Sequence, residues 1–404
     1  MNAFPLRALQ VAAIASVAAV GLPLLGCGSD DEPIPFVDEN QVPNQQNQQE
    51  GTELRELFDE SVEMNSGFSE TLTLEVPENV LSMSITISEG PIAGNYTVTD
   101  WVGPEEFEII RTGWVNSTST GICYPDCNNR VVMINNGASA ALAPNNPDSE
   151  VEAGTHEFRI FGGVMGQTGF SPSVSQPVRV QVFAKVTDEA PETGILDLNL
   201  YFTGVNGWTA ETAQEDTSFQ NTLDSIDNIY ASVGISLGEV SYNDVDSSFQ
   251  VIESMEGANS DLNRLFQLSE DAPLDGPNLF IVDELRSSSP FGGGGGILGI
   301  SGGIPGPIFA HGTPQSGVAV AYGSIQGAAI LANVMAHELG HYLGLFHTSE
   351  YFAFGGMPGH DPLPDTPEDD TSYLMHAGGS GANMSEWQGK VMRKNPWVRH
   401  DDQE

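Results

Sequence analysis

Residues 337–347 read His337-Glu338-Leu339-Gly340-His341-Tyr342-Leu343-Gly344-Leu345-Phe346-His347, and the rest of the chain is best read outward from them. On an α-helix, His337 and His341 stand four apart on one face, with Cβ atoms about 5–6 Å apart. Two imidazoles at that spacing reach one ion. Glu338 follows on the same turn, beside the open coordination position rather than in it. Gly344 lets the chain leave the helix, since glycine takes positive φ without steric cost, and the turn returns His347 as a third nitrogen. Three neutral imidazoles at about 2.0–2.1 Å leave the fourth tetrahedral vertex of a zinc ion for water, the pattern of a catalytic site rather than a closed structural one. Glu338 is then placed to take a proton from that water as it attacks a peptide carbonyl. A lone His pair four apart is often surface decoration. Here five positions match the long H-E-x-x-H-x-x-G-x-x-H form, which outweighs that reading.

The same five positions resemble the metzincin zinc endopeptidases. The resemblance implies His337, His341 and His347 as zinc ligands and Glu338 as general base. It also implies an α/β (α+β) catalytic domain with a mixed, twisted sheet and a long zinc-binding helix. Downstream, His347-Thr348, then Asp365-Thr366-Pro367, then Tyr373-Leu374-Met375 and a Gln-containing helix near Ser385 are similar to the pappalysin branch. Met375 takes the Met-turn position by this resemblance, an apolar floor beneath the histidines that acts by packing. One departure stands out. Many relatives carry Tyr two residues after this Met, whereas here His376 and Ala377 follow. Either zinc and backbone N–H groups stabilise the transition state, or His376 or Tyr373 substitutes. The resemblance covers residues 194 to about 397.

At 404 residues the chain has room for two domains and tails. Its 55 acidic and 13 basic residues give a net charge of −42, which argues against nucleic acid as a partner, since phosphate contacts need Lys and Arg. The balance suits solubility at high ionic strength or attraction of divalent cations; a solvated acidic surface is the plainer reading.

The N-terminus reads as a targeting segment. Arg7 precedes a mostly apolar run to Leu25, and Leu24-Leu25-Gly26-Cys27 resembles the lipobox of bacterial lipoproteins. Residues 1–26 would be the signal peptide and Cys27 the lipidated mature N-terminus. The competing reading, a membrane-spanning helix, has a run near the lower length limit and interrupted by Pro23. The protein is thus expected to be exported and lipid-anchored to the cell envelope, at the outer or cytoplasmic membrane, with surface display an open alternative. With Cys27 lipidated, Cys123 and Cys127 remain for a small disulfide loop; a latency switch, with one of them on the zinc, is the alternative.

Residues 27–66 are acidic, then Pro-, Asn- and Gln-rich, and read as a disordered tether with a short helix at 53–64. From 67 to 190 the period turns to two: Leu72, Leu74 and Val76, then Leu81, Met83, Ile85 and Ile87, then Phe158-Ile160 and Val178-Val180-Val182. Short strands with one buried face point to an all-β sandwich. His156 reads as a strand residue rather than a ligand. The sandwich could bind substrate, serve as a pro-region or space the protease.

From 194 to 404 the order is strand (Ile195–Thr203), helix (Thr217–Val233, with Phe219, Leu223, Ile226, Tyr230 and Val233 on one face), and strands at 238–242 and 278–284, the order the resemblance implies. The glycine-rich stretch, Gly292 to Gly296 and then Gly299, Gly302, Gly303, Pro305, Gly306 and Pro307, lacks the Lys-Ser/Thr ending of a phosphate loop. It reads as a mobile cleft wall feeding an edge strand at 317–322, which by the resemblance would pair with extended substrate. The zinc helix is expected from about Ala328 to Gly344, with Ala329, Ile330, Ala332, Val334 and Met335 packing around it. Ser385 with Gln388 fits a capping box. His360, Asp361, Asp365, Glu368, Asp369 and Asp370 form an acidic loop that could take Ca²⁺ as a second ion, although exposed acidic runs are usually just solvated.

The expected function is zinc-dependent hydrolysis of peptide bonds in extracytoplasmic proteins, with a protein or peptide substrate and the membrane, through its lipid anchor, as partners. The rivals are a surface-adhesion lipoprotein with a vestigial protease domain and a zinc amidohydrolase acting on a non-protein substrate. An edge strand along the cleft favours peptide; a closed small pocket favours the amide.

Overall fold

A computed structural model describes residues 52–91, 93–112, 137–145, 150–166, 169–255, 257–286, 297–325, 327–350, 359–361, 363–367, 370–378 and 381–400. Cys27, Cys123, Cys127, the apolar leader and Gly292 to Gly296 lie outside these residues.

The first half contains β1 (Glu53–Val62), β2 (Leu72–Val76), β3 (Val80–Ser88), β4 (Asn95–Val102), β5 (Ser139–Ala143), β6 (Gly154–Gly166) and β7 (Val178–Val186). One antiparallel sheet runs β1-β7-β3-β5; a second is built on β6, with β2 and β4 on its two sides. Met83, Ile85, Ile87, Val180 and Val182 of the first sheet share one core with Leu74, Val98, Phe158 and Ile160 of the second.

β1 departs from the sequence reading, which places 53–64 in a tether or a short helix. Leu54, Leu57 and Phe58 imitate helical spacing because a bulge between Glu56 and Phe58 shifts the strand's register. Pairing along β7 supplies the backbone partners that the isolated stretch lacks.

β3 is buried on both faces. Opposite its core side, Ser82, Ser84, Thr86 and Ser88 are also shut from solvent, because residues 50–404 form one compact unit and the second half covers that face. His156 on β6 is a strand residue as expected: its Nδ1 accepts from Trp101 Nε1 at 3.1 Å, so its Nε2 donates to the Glu152 carbonyl at 2.7 Å.

The second half is a mixed α/β layer. It holds β8 (Gly194–Phe202), α1 (Ala210–Glu215), α2 (Thr217–Ala231), β9 (Ile235–Asp244), α3 (Asp261–Phe266), β10 (Asn278–Val282), β11 (Gly299–Ser301), β12 (Val318–Ala321), α4 (Ala328–Tyr342), α5 (Glu386–Lys394) and β13 (Val398–Arg399). The sheet order is β9-β8-β10-β12-β11, with β13 antiparallel on β8. The first four strands are parallel and β11 is antiparallel. Asp216 caps α2 by accepting from Phe219 N at 2.8 Å, and Gly234, at φ +78°, ends the turn beyond it. α2 buries Phe219, Leu223, Ile226 and Tyr230, and the Tyr230 hydroxyl donates to Ala336 O of α4 at 2.7 Å.

Two further readings are corrected. The strand at 317–322 is not the edge: β12 lies between β10 and β11, and β11 ends the sheet among the described residues. Three residues after a glycine run are too few to show alternation. Ala329 and Ile330, expected to pack around α4, are exposed in its first turn, and burial begins at Leu331.

Candidate metal centre

α4 carries the first two histidines and then stops in a motif with a clear physical cause. Gly344 has φ +110°; its N–H donates to His341 O at 2.9 Å and Leu345 N–H donates to Gly340 O at 2.9 Å. This is a Schellman exit, which satisfies carbonyls the helix end would leave open. The Leu345 carbonyl on that turn receives His341 Nδ1 at 2.7 Å. His337 Nδ1 meets the Leu374 carbonyl at 2.6 Å, on the strand of chain leading to Met375. Both rings therefore carry their proton on Nδ1 and turn a bare Nε2 toward His347.

His347 Nε2 lies 3.3 Å from His337 Nε2 and 3.2 Å from His341 Nε2. Tetrahedral nitrogens held at about 2.0–2.1 Å from a zinc ion are about 3.3–3.4 Å apart, so the spacing fits the group. The chemistry fits as well: lone pairs converging in a partly buried cleft repel one another, and a cation removes that repulsion. Among the described residues, these three form the one group of His, Cys, Asp or Glu able to hold a metal ion.

Met375 is fully buried, and its Sδ lies so near Gly340 that a Cβ there would sit 2.7 Å from the sulfur. Its carbonyl accepts from Thr348 N at 3.0 Å, tying the residue after His347 to this methionine.

Glu338 lines the same cleft, of about 440 Å³, with the three histidines, Val334, Leu298, Gly299, Ile300, Ser301, Ile304, Ala377 and Gly378. Burial pushes its carboxyl up to about 8; a cation on the histidines acts in the opposite direction, because it favours the carboxylate. β11 presses on this group: a Cβ on Gly299 would lie 2.5 Å from Glu338 Cγ and 2.8 Å from Oε1. The sequence placed Gly299 in a glycine-rich cleft wall, and it does line the cleft, but nothing in the sequence marked β11 as a strand or Glu338 as its contact.

Tyr373 lines a different depression with Asn228, Ser232 and Asn383. His376 is half-buried, and its Nδ1 accepts from Gly378 N at 3.0 Å. Neither lines the metal cleft; Ala377 and Gly378 do.

The acidic loop works as a brace. Asp361 Oδ1 accepts from Leu363 N at 3.1 Å and Thr366 Oγ1 at 3.0 Å. Asp365 Oδ2 accepts from Trp387 N at 3.0 Å in the first turn of α5, where a carboxylate also suits the helix dipole. Asp370 Oδ1 accepts from Ser372 N at 2.9 Å. Glu368 and Asp369 lie outside the described residues, as does the side chain of His360.

No family model and no curated protein matches the chain. Among solved structures, metalloproteinase-II from Bacteroides fragilis aligns over 57% of this chain and 64% of its own, with 14% identity and a TM-score of 0.31. A chaperone–substrate complex aligns over 62% of this chain and 39% of that one, with 11% identity and a TM-score of 0.31. A family two carbohydrate esterase from Clostridium thermocellum reaches a TM-score of 0.15 at 10% identity, over 55% and 60% of the two chains. The chain spans less than two thirds of the length of each. Likeness at this level assigns nothing, and the functional reading rests on the cleft itself.

Proposed function

We propose that the chain is a zinc-dependent endopeptidase of metzincin type, with residues 194–404 as its catalytic domain and residues 53–190 as a β-sandwich built against it. The observation that supports it is the convergence of three Nε2 atoms at 3.2–3.3 Å beside a buried carboxylate. His337, His341 and His347 would hold the ion. When bound, zinc supplies Lewis acidity to a substrate carbonyl and lowers the pKa of water. Glu338 takes the proton of the attacking water and passes it to the leaving amine.

β11 orients the substrate. Leu298 O and Gly302 N bond to the β12 side, so by the two-residue period Gly299 and Ser301 present their backbone groups to the other side of β11, an edge that no strand covers among the described residues. An extended peptide added there would lie across the cleft. Among the described residues that edge is uncovered, which favours peptide over a small amide. The pappalysin-like reading rests on the sequence strings alone: His347-Thr348, Asp365-Thr366-Pro367 and Tyr373-Leu374-Met375. Export and lipidation at Cys27 complete the proposal; incorporation of a labelled fatty acid that is lost in Cys27→Ser tests that part.

Proteolysis of an unfolded mixed substrate by zinc-loaded protein tests the reaction. Glu338→Ala retains the metal and loses about 100- to 10,000-fold in rate, the usual worth of a general base. Equal rates in parent and variant would remove Glu338 from the mechanism.

A further inference from the structure

The outer face of the first sheet reaches into the metal-binding half. Lys185 on β7 is 1% exposed. Its Nζ donates to the carbonyl oxygens of Arg393 at 2.7 Å, Asn395 at 3.0 Å and Val398 at 2.5 Å. Three ammonium donors thus meet three acceptors, two at the end of α5 and one on β13.

Asn395 extends the link. Its Nδ2 donates to Leu343 O at 3.2 Å, while its Oδ1 accepts from Trp397 N at 3.0 Å. Leu343 is the C-cap of α4 and sits immediately before Gly344. Gly344 is itself flanked by the first sheet, since a Cβ there would lie 2.9 Å from Asn145 Oδ1 and 3.4 Å from Leu142 Cδ2. A second link starts at Thr86 on β3, which donates to Ile308 O at 3.0 Å and accepts from Ile308 N at 3.1 Å. The neighbouring Pro307 carbonyl receives the Tyr342 hydroxyl at 3.2 Å. Both links, and the contact at Gly344, end on Tyr342–Gly344, the stretch between the second and third histidines.

We propose that the paired N-terminal sheets are a permanent clamp on the metal turn, not a removable pro-region, with Lys185 acting through Asn395 to position Leu343–Gly344 and so His341 and His347. Lys185 and Asn395 are positioning residues, and neither touches the cleft. The proposal rests on the reading of the three histidines as a metal centre; it does not depend on the substrate.

The test measures zinc affinity of the full chain by competition with a chromophoric chelator, with the visible spectrum of the cobalt-loaded protein as a second readout. Asn395→Asp keeps the size and the acceptor for Trp397 but loses the donor to Leu343. It weakens zinc binding about tenfold or more, as removal of supporting groups around a metal site usually does, and it shifts the cobalt bands. Lys185→Met does the same; should it fail to fold, Asn395→Asp decides alone. Ser82→Ala removes a bond to the Lys394 carbonyl next to Asn395 but leaves the Lys185 bonds and both Asn395 side-chain bonds in place; this variant keeps parent affinity. Parent affinity in Asn395→Asp, or an equal loss in Ser82→Ala, overturns the clamp. A parent that binds zinc without cutting peptides would sink the protease reading and leave the clamp standing. A parent that binds no zinc sinks both.

Discussion

Glu338 and Gly299 show how closely the cleft is built at the scale of single side chains. The missing Cβ of Gly299 is the space the Glu338 carboxyl occupies. Gly299→Ala therefore pushes the carboxyl aside or lifts β11, and either change misaligns base and substrate. The predicted result is a fall in kcat/KM of at least about tenfold with zinc affinity unchanged, since small misplacements of a catalytic group are costly. Parent kinetics in this variant would mean that the carboxyl and β11 do not act together. The histidines and Glu338 were legible in the sequence because their chemistry is set by spacings of one, four and six residues within one helix and one turn. Gly299 was legible only as part of a glycine-rich cleft wall; its contact with Glu338 was not, since the two lie 39 positions apart and nothing local marks it.

Among the elements, α4 and α5 are the best specified by sequence. The Gly344 exit follows from the need for positive φ, which a side chain adopts only with strain. Gly344→Ala adds that strain to a collision with Asn145 Oδ1, so a loss of more than about 1 kcal/mol is expected. A drop in melting temperature with weakened zinc binding would show it; a variant as stable as the parent would place the turn's rigidity elsewhere. At α5 the Ser385 Oγ accepts from Gln388 N at 3.1 Å while Gln388 Oε1 accepts from Ser385 N at 3.0 Å. Ser385→Ala should cost about 1 kcal/mol in chemical denaturation, with little change if Asp365 alone holds that helix start. β1 and β11 were the misread elements. A bulge disguised the period of β1, and β11 is shorter than the two repeats that alternation needs.

For the whole molecule, the order of strands first and mixed strands and helices later was legible, but their packing into one unit was not. Ser82, Ser84 and Thr86 look like the wet face of a strand, and only the covering half makes them interior. Lys185 likewise reads as a solvated charge among alternating valines. Burial pushes its ammonium down to about 7, while the three carbonyls match the charged form and resist that push. With the folded pKa below the ordinary lysine value of about 10.4, the unfolded chain binds more protons between about pH 7 and 10. Stability should therefore rise with pH across that window. Relative to Lys185→Met, the parent's melting temperature should climb from pH 7 to 9.5; parallel curves would show that Lys185 keeps an ordinary pKa in the fold. Nearby, burial also depresses Arg393 and Lys394, with Glu192 and Glu150 opposing it respectively, so the difference between the two curves is the quantity to read.

The central claim is that three imidazoles share one metal with a vertex left for water, and X-ray absorption on the zinc-loaded chain tests it most directly. The predicted first shell is three nitrogens and one oxygen at about 2.0–2.1 Å, with one zinc per chain that is lost in His347→Ala. A shell containing sulfur, a fourth protein nitrogen in place of the oxygen, or zinc retained unchanged in His347→Ala would contradict it.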